Sequence, residues 1–548
     1  MFTDTDTRST IARALVLQAD RLESKALLVN VSDGSQLSYR QLVSHADAAS
    51  ARLHERGIAA GSMAAIYLGN GIDFVKSCFA CLFAGVVNVA LNPDFRKTTL
   101  LFGLQTVGAA VLFTDEAGVD NLLDEELRPF MPQLKLVVLA GQADLAACKQ
   151  RFARIGAAPD MMSLSELIAP GLTPGSWQQV DATLPAVVRF TSGTTGPPKG
   201  IVQSNLHVLN KCAMHNRIMD YGESDILYSP FPLHHGLASV MGLIGTISAG
   251  GTMVTSPKFS ASRFWQEAAQ TGATLGHLLQ PLVPLIETQD VTAFERSHQV
   301  RSLYTAPPNR RFEERFKSKF VQSYSMGEVG IIAFKLGAAD GDTSSGLPLP
   351  EMEVQIVDEL DRPMPGGELG EIVVRPRLPH QVMIGYINNL PATQRAFRNL
   401  WYHTGDSGLL DDKGELHFIG RLGDTIRRRG VNISSEQIET EIRLYPMVKD
   451  CAVIGVPSAT GEHELHACIE WTRAPDDVGR AMEMLLDFLI ERLPKTYVPR
   501  YLEHVGDLPR TPTGKIQKAQ LRTRKNFGPT WERDRGRWTL LQQGDTTP

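Results

Sequence analysis

Cysteine is scarce in this chain, with six cysteines among 548 residues. Two of them, Cys78 and Cys81, form a single C-x-x-C pair inside an apolar run that is typical of a buried helix. A zinc site of this kind needs a second pair, and the sequence contains none. We therefore predict that both thiols are core residues. Few, scattered cysteines are also typical of a reducing compartment, so we expect a cytoplasmic location.

Long hydrophobic runs and an excess of basic charge are missing as well. No uninterrupted apolar stretch is long enough to span a bilayer. The first residues lack the positive and apolar regions of a signal peptide, so we expect none. The 55 lysines and arginines are outnumbered by 60 aspartates and glutamates, which gives a net charge of −5. This balance argues against a nucleic-acid partner, because nucleic-acid-binding proteins usually carry a basic face.

The chain does contain a long alternation of strand and helix patterns. Its 548 residues are too many for one core, so two or more domains are expected. Near the beginning, the apolar runs 63–68 and 86–90 flank a helical pattern that ends at Phe83, an order that predicts parallel α/β layers. After Glu351, short runs separated by turns predict an antiparallel, barrel-like segment that includes 354–357, 371–374 and 415–419.

The pattern of predicted elements changes again near Asp424, where a small α/β unit begins. We predict a large domain over residues 1–423, a small domain over 424–521 and a polar, loosely ordered tail over 522–548. The predicted fold class is therefore α/β, with parallel layers and an antiparallel segment in the large domain.

The segment Ser192–Gly200 is rich in Gly, Ser, Thr and Pro and contains one lysine, Lys199. An apolar run precedes it, and a helical pattern that Ser204 or Asn205 would cap follows it. Glycines let the backbone turn its N–H groups inward, and a helix N-terminus adds partial positive charge. The glycine spacing is not the Walker pattern. The order strand, loop and helix nevertheless predicts a phosphate cradle.

These nine residues resemble the signature loop of the adenylate-forming superfamily, which includes acyl-CoA synthetases, nonribosomal peptide synthetase adenylation domains and luciferases. Matching segments recur from about Gly61 to Leu521, so the resemblance covers most of the chain. It implies a large domain that binds ATP and an acid, and a small mobile domain that swings about the hinge residue Asp424. It also implies ATP contacts from Thr191, Ser192, Gly193, Thr194, Thr195, Gly196 and Lys199.

Asp406 and Arg421 are the expected ribose contacts. Asp406 ends a predicted strand, where a carboxylate can accept two hydrogen bonds from a ribose diol. In the family, residues at the places of Asp406 and Arg421 grip the ribose.

A second nucleotide segment, Ser323–Glu328, resembles the family's Tyr-Gly-x-Thr-Glu pattern, although Ser325 replaces the glycine and Gly327 replaces the threonine. The resemblance places Tyr324 and Ser325 in the ATP site. It makes Glu328 a catalytic residue and the main ligand of Mg²⁺, which prefers carboxylate oxygen. The resemblance also implies a metal contact from Thr195 and adenine contacts from Ala306 and Pro307.

The acid site is expected around the segment Pro230–Gly236. His235 in this segment resembles the histidine or aromatic residue that flanks the acyl carboxylate in the family. The sequence does not reveal which acid is bound. The candidate pocket residues form a mixed polar and apolar set: His234, Met241, Tyr304, Ser325, Met326 and Gly330.

Two C-terminal segments complete the resemblance. A proline and a glycine display Lys515 on a tight turn that resembles the family's Gly-Lys loop. There the lysine bridges the substrate carboxylate and the α-phosphate, and a fixed ammonium group stabilises the charge that develops on phosphorus. The basic run Arg427–Gly430 resembles the stretch that faces coenzyme A, which implies contacts from Arg428, Arg429 and Gly430.

The resemblance favours an AMP-forming acyl-CoA ligase that uses ATP, Mg²⁺, coenzyme A and a small carboxylic acid. Three alternatives remain open: an adenylation enzyme that loads a carrier protein, a luciferase-like monooxygenase, and a non-catalytic adenylate-binding protein. Activation of α-amino acids is disfavoured, because no aspartate stands in 234–241. We expect a monomer or a homodimer.

Overall fold

The computed structural model describes residues 9–170, 177–190, 198–279, 282–305, 309–337, 342, 344–428, 431–457, 463–511, 514–524, 526–533 and 537–542. The chain forms two compact units. The first unit comprises 1–191, 199–353 and 376–395, and the second comprises 192–198, 354–375 and 396–548. The predicted boundary at Asp424 lies inside the second unit and stays a prediction about domain motion.

Helices occur along the whole described chain, and local sequence explains where several of them begin. For example, Ser38 and Gln41 form a reciprocal capping box at the start of the second helix. A π-helix spans Leu237–Ile244. In chain order, the α-helices are α1 (Ile11–Leu22), α2 (Tyr39–Glu55), α3 (Ile72–Phe83), α4 (Lys97–Val107), α5 (Glu116–Leu122), α6 (Leu145–Arg154), α7 (Leu164–Leu167), α8 (Asn205–Met219), α9 (Gly245–Ala249), α10 (Phe264–Gln270), α11 (Val283–Glu287), α12 (Phe294–Ser297), α13 (Arg310–Phe316), α14 (Leu390–Ala396), α15 (Ser435–Arg443), α16 (Val478–Arg492) and α17 (Lys518–Arg522).

Most strands are short, as expected for buried β-branched runs separated by turns, whereas β21 and β25 have ten residues each. In chain order they are β1 (Ala26–Asn30), β2 (Gln36–Ser38), β3 (Met63–Tyr67), β4 (Val87–Ala90), β5 (Val111–Thr114), β6 (Leu136–Leu139), β7 (Asp160–Ser163), β8 (Pro185–Phe190), β9 (Gly200–Ser204), β10 (Ile226–Ser229), β11 (Thr252–Thr255), β12 (Leu275–His277), β13 (Ser302–Thr305), β14 (Lys319–Met326), β15 (Gly330–Leu336) and β16 (Leu347–Pro348). They continue with β17 (Met352–Val357), β18 (Gly370–Pro376), β19 (Gly385–Tyr386), β20 (Phe397–Arg398), β21 (Trp401–Leu410), β22 (Leu416–Arg421), β23 (Thr425–Arg428), β24 (Val431–Ser434), β25 (Val448–Pro457), β26 (His463–Trp471), β27 (Tyr501–His504), β28 (Asn526–Glu532) and β29 (Arg537–Gln542).

Two large sheets organise the first unit. One has the order β16-β15-β14-β13-β12-β10-β11-β1-β2, and the other has the order β19-β9-β8-β4-β3-β5-β6-β7. Parallel pairs dominate both, such as β3 with β4 and β12 with β13. This confirms the parallel layers that the sequence predicts. Cys78 and Cys81 lie buried in α3, which confirms that they are core thiols.

The second unit is built mainly from antiparallel pairs. Strands β17, β18, β21 and β20 form one sheet, and β22 pairs with β21, which confirms the predicted antiparallel segment. Strands β25 to β29 form another sheet. Its core includes Ile438 of α15 and Leu485 of α16, both fully buried. No helix among the described residues has the length and apolar character needed to cross a bilayer.

The prediction of a loosely ordered tail is wrong for Asn526–Glu532 and Arg537–Gln542, the part of the tail that the structure describes as strands. Strand β28 pairs with β27, and β29 pairs with β28, so the tail extends a sheet. Polar contacts anchor it: the N–H of Gly528 donates to Glu503 Oε1 at 2.7 Å, and Arg524 Nη2 donates to Glu503 Oε2 at 2.8 Å. The same carboxylate lies 3.0 Å from His466 Nε2. Strand pairing and contacts with the buried Glu503 carboxylate order this segment. Its polar composition therefore gave no sign of the strands.

The predicted order of strand, loop and helix around the glycine-rich loop is also wrong. Strand β9 follows the loop directly and pairs antiparallel with β8, with Arg189 opposite Ile201. The loop therefore joins two strands of a hairpin, and helix α8 begins only afterwards. Ser204 caps that helix by accepting the N–H of His207, which confirms one of the two predicted caps.

Candidate active site

A buried turn between β14 and β15 carries the predicted metal ligand. Tyr324 lies near the end of β14, and Glu328 lies in the turn that precedes Gly330. The Glu328 residue is 7% exposed. Its backbone carbonyl accepts the N–H of Met383 at 2.7 Å. This bond attaches the backbone of the turn to the segment that contains Met383.

Gly327, the departure from the family pattern, is held from the other side. Its carbonyl accepts hydrogen bonds from Gln203 Nε2 at 3.0 Å and from Lys211 Nζ at 2.9 Å. A Cβ atom at position 327 would lie 2.6 Å from Cδ1 of Ile201, so the space beside the glycine is taken. Cδ1 of Ile201 would have to move to admit a threonine side chain at this position.

Tyr386 connects two of the predicted site residues. Its hydroxyl donates to Glu328 Oε1 at 3.0 Å, and the Lys199 ammonium lies 5.0 Å from the centre of its ring. Strand β19 pairs antiparallel with β9, which places Tyr386 opposite Ile201. The structure therefore brings Lys199 and Glu328 to the same tyrosine. Tyr386 is not recognisable from the sequence, because a two-residue strand gives no periodic signal.

Several predicted contacts cannot be compared with the structure. The following predicted site residues lie outside the described residues, and their roles stay predictions: Thr191, Ser192, Gly193, Thr194, Thr195, Gly196, Ala306, Pro307, Arg429 and Gly430.

In the second unit, the two predicted ribose contacts face each other. Asp406 on β21 lies opposite Arg421 on β22, and Arg421 Nε is 3.0 Å from Asp406 Oδ1. Asp406 is 2% exposed, so its carboxylate is fixed below the surface. The expectation that Asp406 ends a strand is wrong, because β21 continues to Leu410.

Residues of β18 form hydrogen bonds with the segment around Asp406. Glu371 Oε1 accepts the N–H of Gly405 at 3.1 Å, and Glu371 Oε2 lies 2.9 Å from His403 Nδ1. Thr404 Oγ1 accepts the Asp406 N–H at 3.0 Å and donates to the Ile372 carbonyl at 2.6 Å. Gly405 has φ +68°, a conformation that glycine adopts without strain. These contacts hold the Asp406 carboxylate toward Arg421.

Lys515 lies on the tight turn that the sequence predicts. The Thr511 N–H donates to the Lys515 carbonyl at 2.7 Å, and Gly514 has φ +82°. The residue as a whole is exposed. Its pKa is nevertheless lowered, first by loss of water around the ammonium group and then by the positive charge of Arg421, whereas Asp406 opposes this. The ammonium group therefore lies near the Arg421–Asp406 pair, which unites three predicted residues.

The predicted hinge residue is held by ion pairs. Asp424 ends a short 3₁₀ turn, Leu422–Asp424. Its carboxylate pairs with Arg522 and lies 3.8 Å from Lys518 Nζ. Lys518 also pairs with Glu439 at 2.8 Å. Helix α17 therefore fixes the hinge residue in the conformation observed.

Arg428 is buried, although its basic run suggests a solvent-exposed position. It is 1% exposed and pairs with Glu464 Oε2 at 2.6 Å. It also donates to the carbonyls of Thr496 and Val498. This burial argues against the predicted coenzyme A contact of Arg428 in this conformation.

The two histidines of the predicted acid site differ in exposure. His235 is exposed, and its Nδ1 accepts the N–H of Leu237 at 3.3 Å. His234 is half-buried, and its pKa is lowered to about 4, first by burial and then by the nearby charges of His235 and Arg189. His234 is therefore neutral at physiological pH. The catalytic role of His235 stays a prediction.

The remaining pocket residues lie on three elements of the first unit. Met241 is buried in the π-helix, a form that often occurs at functional sites. Met326 ends β14, and Gly330 begins β15 with φ +86°. The stem of Lys211 lies against Gly330, since a Cβ atom there would be 2.9 Å from Lys211 Cγ.

A buried polar network surrounds Tyr304, the other predicted pocket residue. The Tyr304 hydroxyl is 2.5 Å from Ser323 Oγ and 3.4 Å from Ser325 Oγ. Its ring packs against His215 and His277, with ring centres 5.1 Å and 5.8 Å away. Nε2 atoms of the two histidines lie 3.1 Å apart. Neither histidine is recognisable from the sequence, because an isolated histidine in an apolar run carries no specific signal.

Three clusters in the second unit have metal-ligand chemistry. One, formed by Asp411, Glu415 and His417, is partly buried, and the other two already contain a cation. Asp361, Glu371 and His403 surround Arg398, which donates to both carboxylates. His466, Cys468 and Glu503 similarly surround Arg524. In each case the guanidinium group satisfies the carboxylate oxygens. The Mg²⁺ contact expected of Glu328 stays a prediction.

Curated proteins match this chain along most of its length. Among curated proteins, the crotonobetaine/carnitine–CoA ligase of Salmonella arizonae is 27% identical over 526 residues, covering 91% of this chain and 96% of the relative. The sulfoacetate–CoA ligase of Cupriavidus necator is 26% identical over 531 residues, covering 95% and 98%.

Solved structures share the fold. The anthranilate CoA ligase AuaEII in complex with anthranoyl-AMP superimposes with a TM-score of 0.80 at 21% identity, covering 95% of this chain and 98% of that one. ATP-bound MatB from Rhodopseudomonas palustris gives a TM-score of 0.75 at 23% identity, covering 93% and 98%.

Family models match both parts of the chain. The model described as AMP-binding enzyme matches residues 16–387, and the model of the AMP-binding enzyme C-terminal domain matches residues 437–515. The first match alone spans more than half of the 548 residues. The chain belongs to the AMP-binding enzyme family, as its glycine-rich loop and its Gly-Lys turn suggest.

Proposed function

We propose that this protein is an AMP-forming acid–CoA ligase. It activates a carboxylic acid with ATP, releases pyrophosphate, and transfers the acyl group to the thiol of coenzyme A. Family membership and the CoA ligase activities of the curated relatives support the reaction class. The observation that carries the proposal is the pairing of exposed Arg421 with the buried Asp406 carboxylate at 3.0 Å, to which the Lys515 ammonium is electrostatically coupled.

In the first half-reaction, a carboxylate oxygen of the acid attacks the α-phosphorus of ATP, and the bond to pyrophosphate breaks. Asp406 would hold the ribose, and Lys515 would stabilise the negative charge that develops on the phosphoryl oxygens. The carboxylate of Glu328 suits Mg²⁺, which prefers oxygen ligands. Bound there, Mg²⁺ would neutralise phosphate charge.

In the second half-reaction, a thiolate attacks the acyl carbonyl carbon, and AMP leaves with the electrons of the carbon–oxygen bond. We propose coenzyme A as the thiol because both curated relatives are CoA ligases. Pyrophosphate release should be measured over an acid panel, with coenzyme A, with a phosphopantetheinylated carrier protein, and with neither. A thioester on the carrier protein alone would contradict the assignment of coenzyme A. Absence of pyrophosphate release with every acid would contradict ligase activity.

The cellular context is proposed from composition. All six cysteines are buried and none forms a disulfide, which supports a cytoplasmic location. A monomer or a homodimer is proposed, and light scattering would distinguish the two.

Replacing Glu328 with alanine is expected to raise the Mg²⁺ concentration needed for half-maximal activity by about 10²-fold, the upper range for losses around a metal site. The physical reason is the loss of the carboxylate that the structure positions in the turn after β14. Pyrophosphate release should be titrated with Mg²⁺ at fixed ATP. Glu351→Ala, which removes a carboxylate paired with Arg217, is the control. An unchanged titration for Glu328→Ala would remove Glu328 from the site.

Replacing Tyr386 with phenylalanine is expected to raise the Mg²⁺ requirement by about tenfold, the lower range for partners of metal ligands. The substitution removes the hydroxyl that donates to Glu328 Oε1 and keeps the ring beside Lys199. In the Glu328→Ala background it should cause no further change in the Mg²⁺ titration. Equal effects in both backgrounds would show that the hydroxyl does not act through Glu328.

A further inference from the structure

Two buried cations of the first unit have no ion-pair partner within the described residues. Arg189 on β8 is 7% exposed and Lys211 on α8 is 6% exposed. Arg189 Nη1 donates only to the adjacent Val188 carbonyl at 3.1 Å, and its buried Nε meets no acceptor in the part of the chain that the structure describes. Lys211 donates to the Gly327 carbonyl. Because burying an unpaired charge is costly, such groups indicate a missing anion.

Both groups remain cationic at neutral pH. Burial lowers the pKa of Arg189 to about 10 and that of Lys211 to about 8. The Glu328 carboxylate favours the charged form of Lys211, whereas the Arg189 charge opposes it. The two cations are therefore near enough to repel each other. A single carboxylate, itself the proposed Mg²⁺ ligand, does not balance two cations.

The position of both cations is next to the predicted acid site. The Lys211 stem lies against Gly330, where a Cβ atom would be 2.9 Å from Lys211 Cγ. Glycine at this position makes room for the lysine. On the other side, the positive charge of Arg189 contributes to the lowered pKa of His234. Gly330 and His234 are both predicted pocket residues, so the cations border the space expected for the acyl chain.

We propose that the acid carries a second anionic group, such as a carboxylate or a sulfonate, and that Arg189 and Lys211 hold this group in the acyl pocket. This inference rests on the proposed ligase function. The carboxylate that reacts becomes a mixed anhydride with AMP and loses its charge. The second group keeps its charge throughout and can neutralise the cations before and after adenylate formation. Arg189 presents a planar fork that suits such oxyanions, and Lys211 adds a point charge.

The test compares acids of similar length that differ in the second group. Butanoate, succinate and 3-sulfopropanoate, with their shorter and longer homologues, should be assayed for pyrophosphate release. A dianionic acid is expected to be the best substrate. Arg189→Met and Lys211→Met should each lower kcat/KM for that acid by about 10- to 100-fold, mainly through KM, because each removes a charge-assisted contact. For both variants the loss should be about tenfold larger with the dianionic acid than with monoanionic acids. Lys211→Met also removes the hydrogen bond to the Gly327 carbonyl beside Glu328, so some loss with every acid is expected for this variant.

Matched variants separate recognition from folding. Lys211→Arg should retain the preference for a dianion, and Arg217→Met, on the same helix, should affect both acid classes equally. The melting temperature of Arg189→Met without ligand should equal or exceed that of the parent, because the variant removes an uncompensated buried charge. A loss that is equal for both acid classes would assign the cations to ATP or to the fold, and would overturn the proposal.

The failure of the proposed function can be recognised separately. If no acid releases pyrophosphate, ligase activity is contradicted, and thermal shifts with the same dianions then test the cation site by itself. Stabilisation of the parent by a dianion, lost in Arg189→Met, is expected. Best activity with a monoanionic acid, or equal thermal shifts in the parent and the variant, would overturn the proposal of a second anionic group.

Discussion

Lys515→Ala is expected to lower the rate of adenylate formation by about 10²- to 10³-fold, the usual effect of removing one charge-stabilising donor. The same variant should make thioester from preformed acyl-adenylate at nearly the parent rate. The reason is that Lys515 belongs to the predicted mobile domain and would leave the phosphate before the thiol attacks. Single-turnover pyrophosphate release measures the first step, and thioester formation from added adenylate measures the second.

Lys495→Ala is the matched control, because Lys495 is an exposed lysine of the same unit. It should leave both half-reactions unchanged. An equal loss in both half-reactions of Lys515→Ala would contradict the use of two domain orientations. A normal first half-reaction would show that the approach of Lys515 to Asp406 and Arg421 has no catalytic meaning.

Asp424→Pro is expected to spare adenylate formation and to lower thioester formation by about 10²-fold, as when the required conformation falls to about 1% of the population. Domain rotation needs a few residues that absorb large changes of φ and ψ, and proline fixes φ near one value. The orientation that ATP holds through Lys515 should be the one retained. Both half-reactions should be followed separately, as for Lys515→Ala.

The control for this variant comes from the ion pairs of Asp424. Asp424→Ala also removes the contacts to Arg522 and Lys518 but leaves φ unrestricted. It should therefore retain both half-reactions, whereas the proline variant loses the second. Loss of thioester formation in both variants would assign the effect to the ion pairs. Full activity of Asp424→Pro would place the hinge elsewhere or exclude domain rotation.

Sequence patterns were sufficient for the elements whose hydrophobic runs are long. The runs that became β3, β4 and α3 predicted a parallel arrangement, and the structure has it. The helix N-cap at Ser204 followed from side-chain chemistry alone. The error at the glycine-rich loop arose from Gly200–Ser204, which is too short to be separated from a helix start by periodicity, although pairing with β8 makes it a strand.

The candidate site likewise contains residues that sequence motifs identified and residues that they did not. Motifs identified Asp406, Arg421 and Lys515, which the structure brings together, because each stands in a locally recognisable turn or strand. Tyr386 and Lys211 could not be found, since their significance comes from contacts with Glu328 and Gly327 that only the tertiary fold creates. Arg428 is a residue for which the sequence was misleading. Its basic run suggests exposure, but Arg428 is buried in an ion pair with Glu464.

The paired tail strands have a practical consequence for handling the protein. The family match ends at residue 515, yet β28 and β29 continue the sheet beyond it. A chain shortened to the matched region would lose Arg524 and the Gly528 N–H, leaving the almost fully buried Glu503 carboxylate with far fewer donors. It would also expose β27 as an edge strand, which invites intermolecular pairing and aggregation. Expression and crystallisation designs should therefore retain residues through at least Gln542.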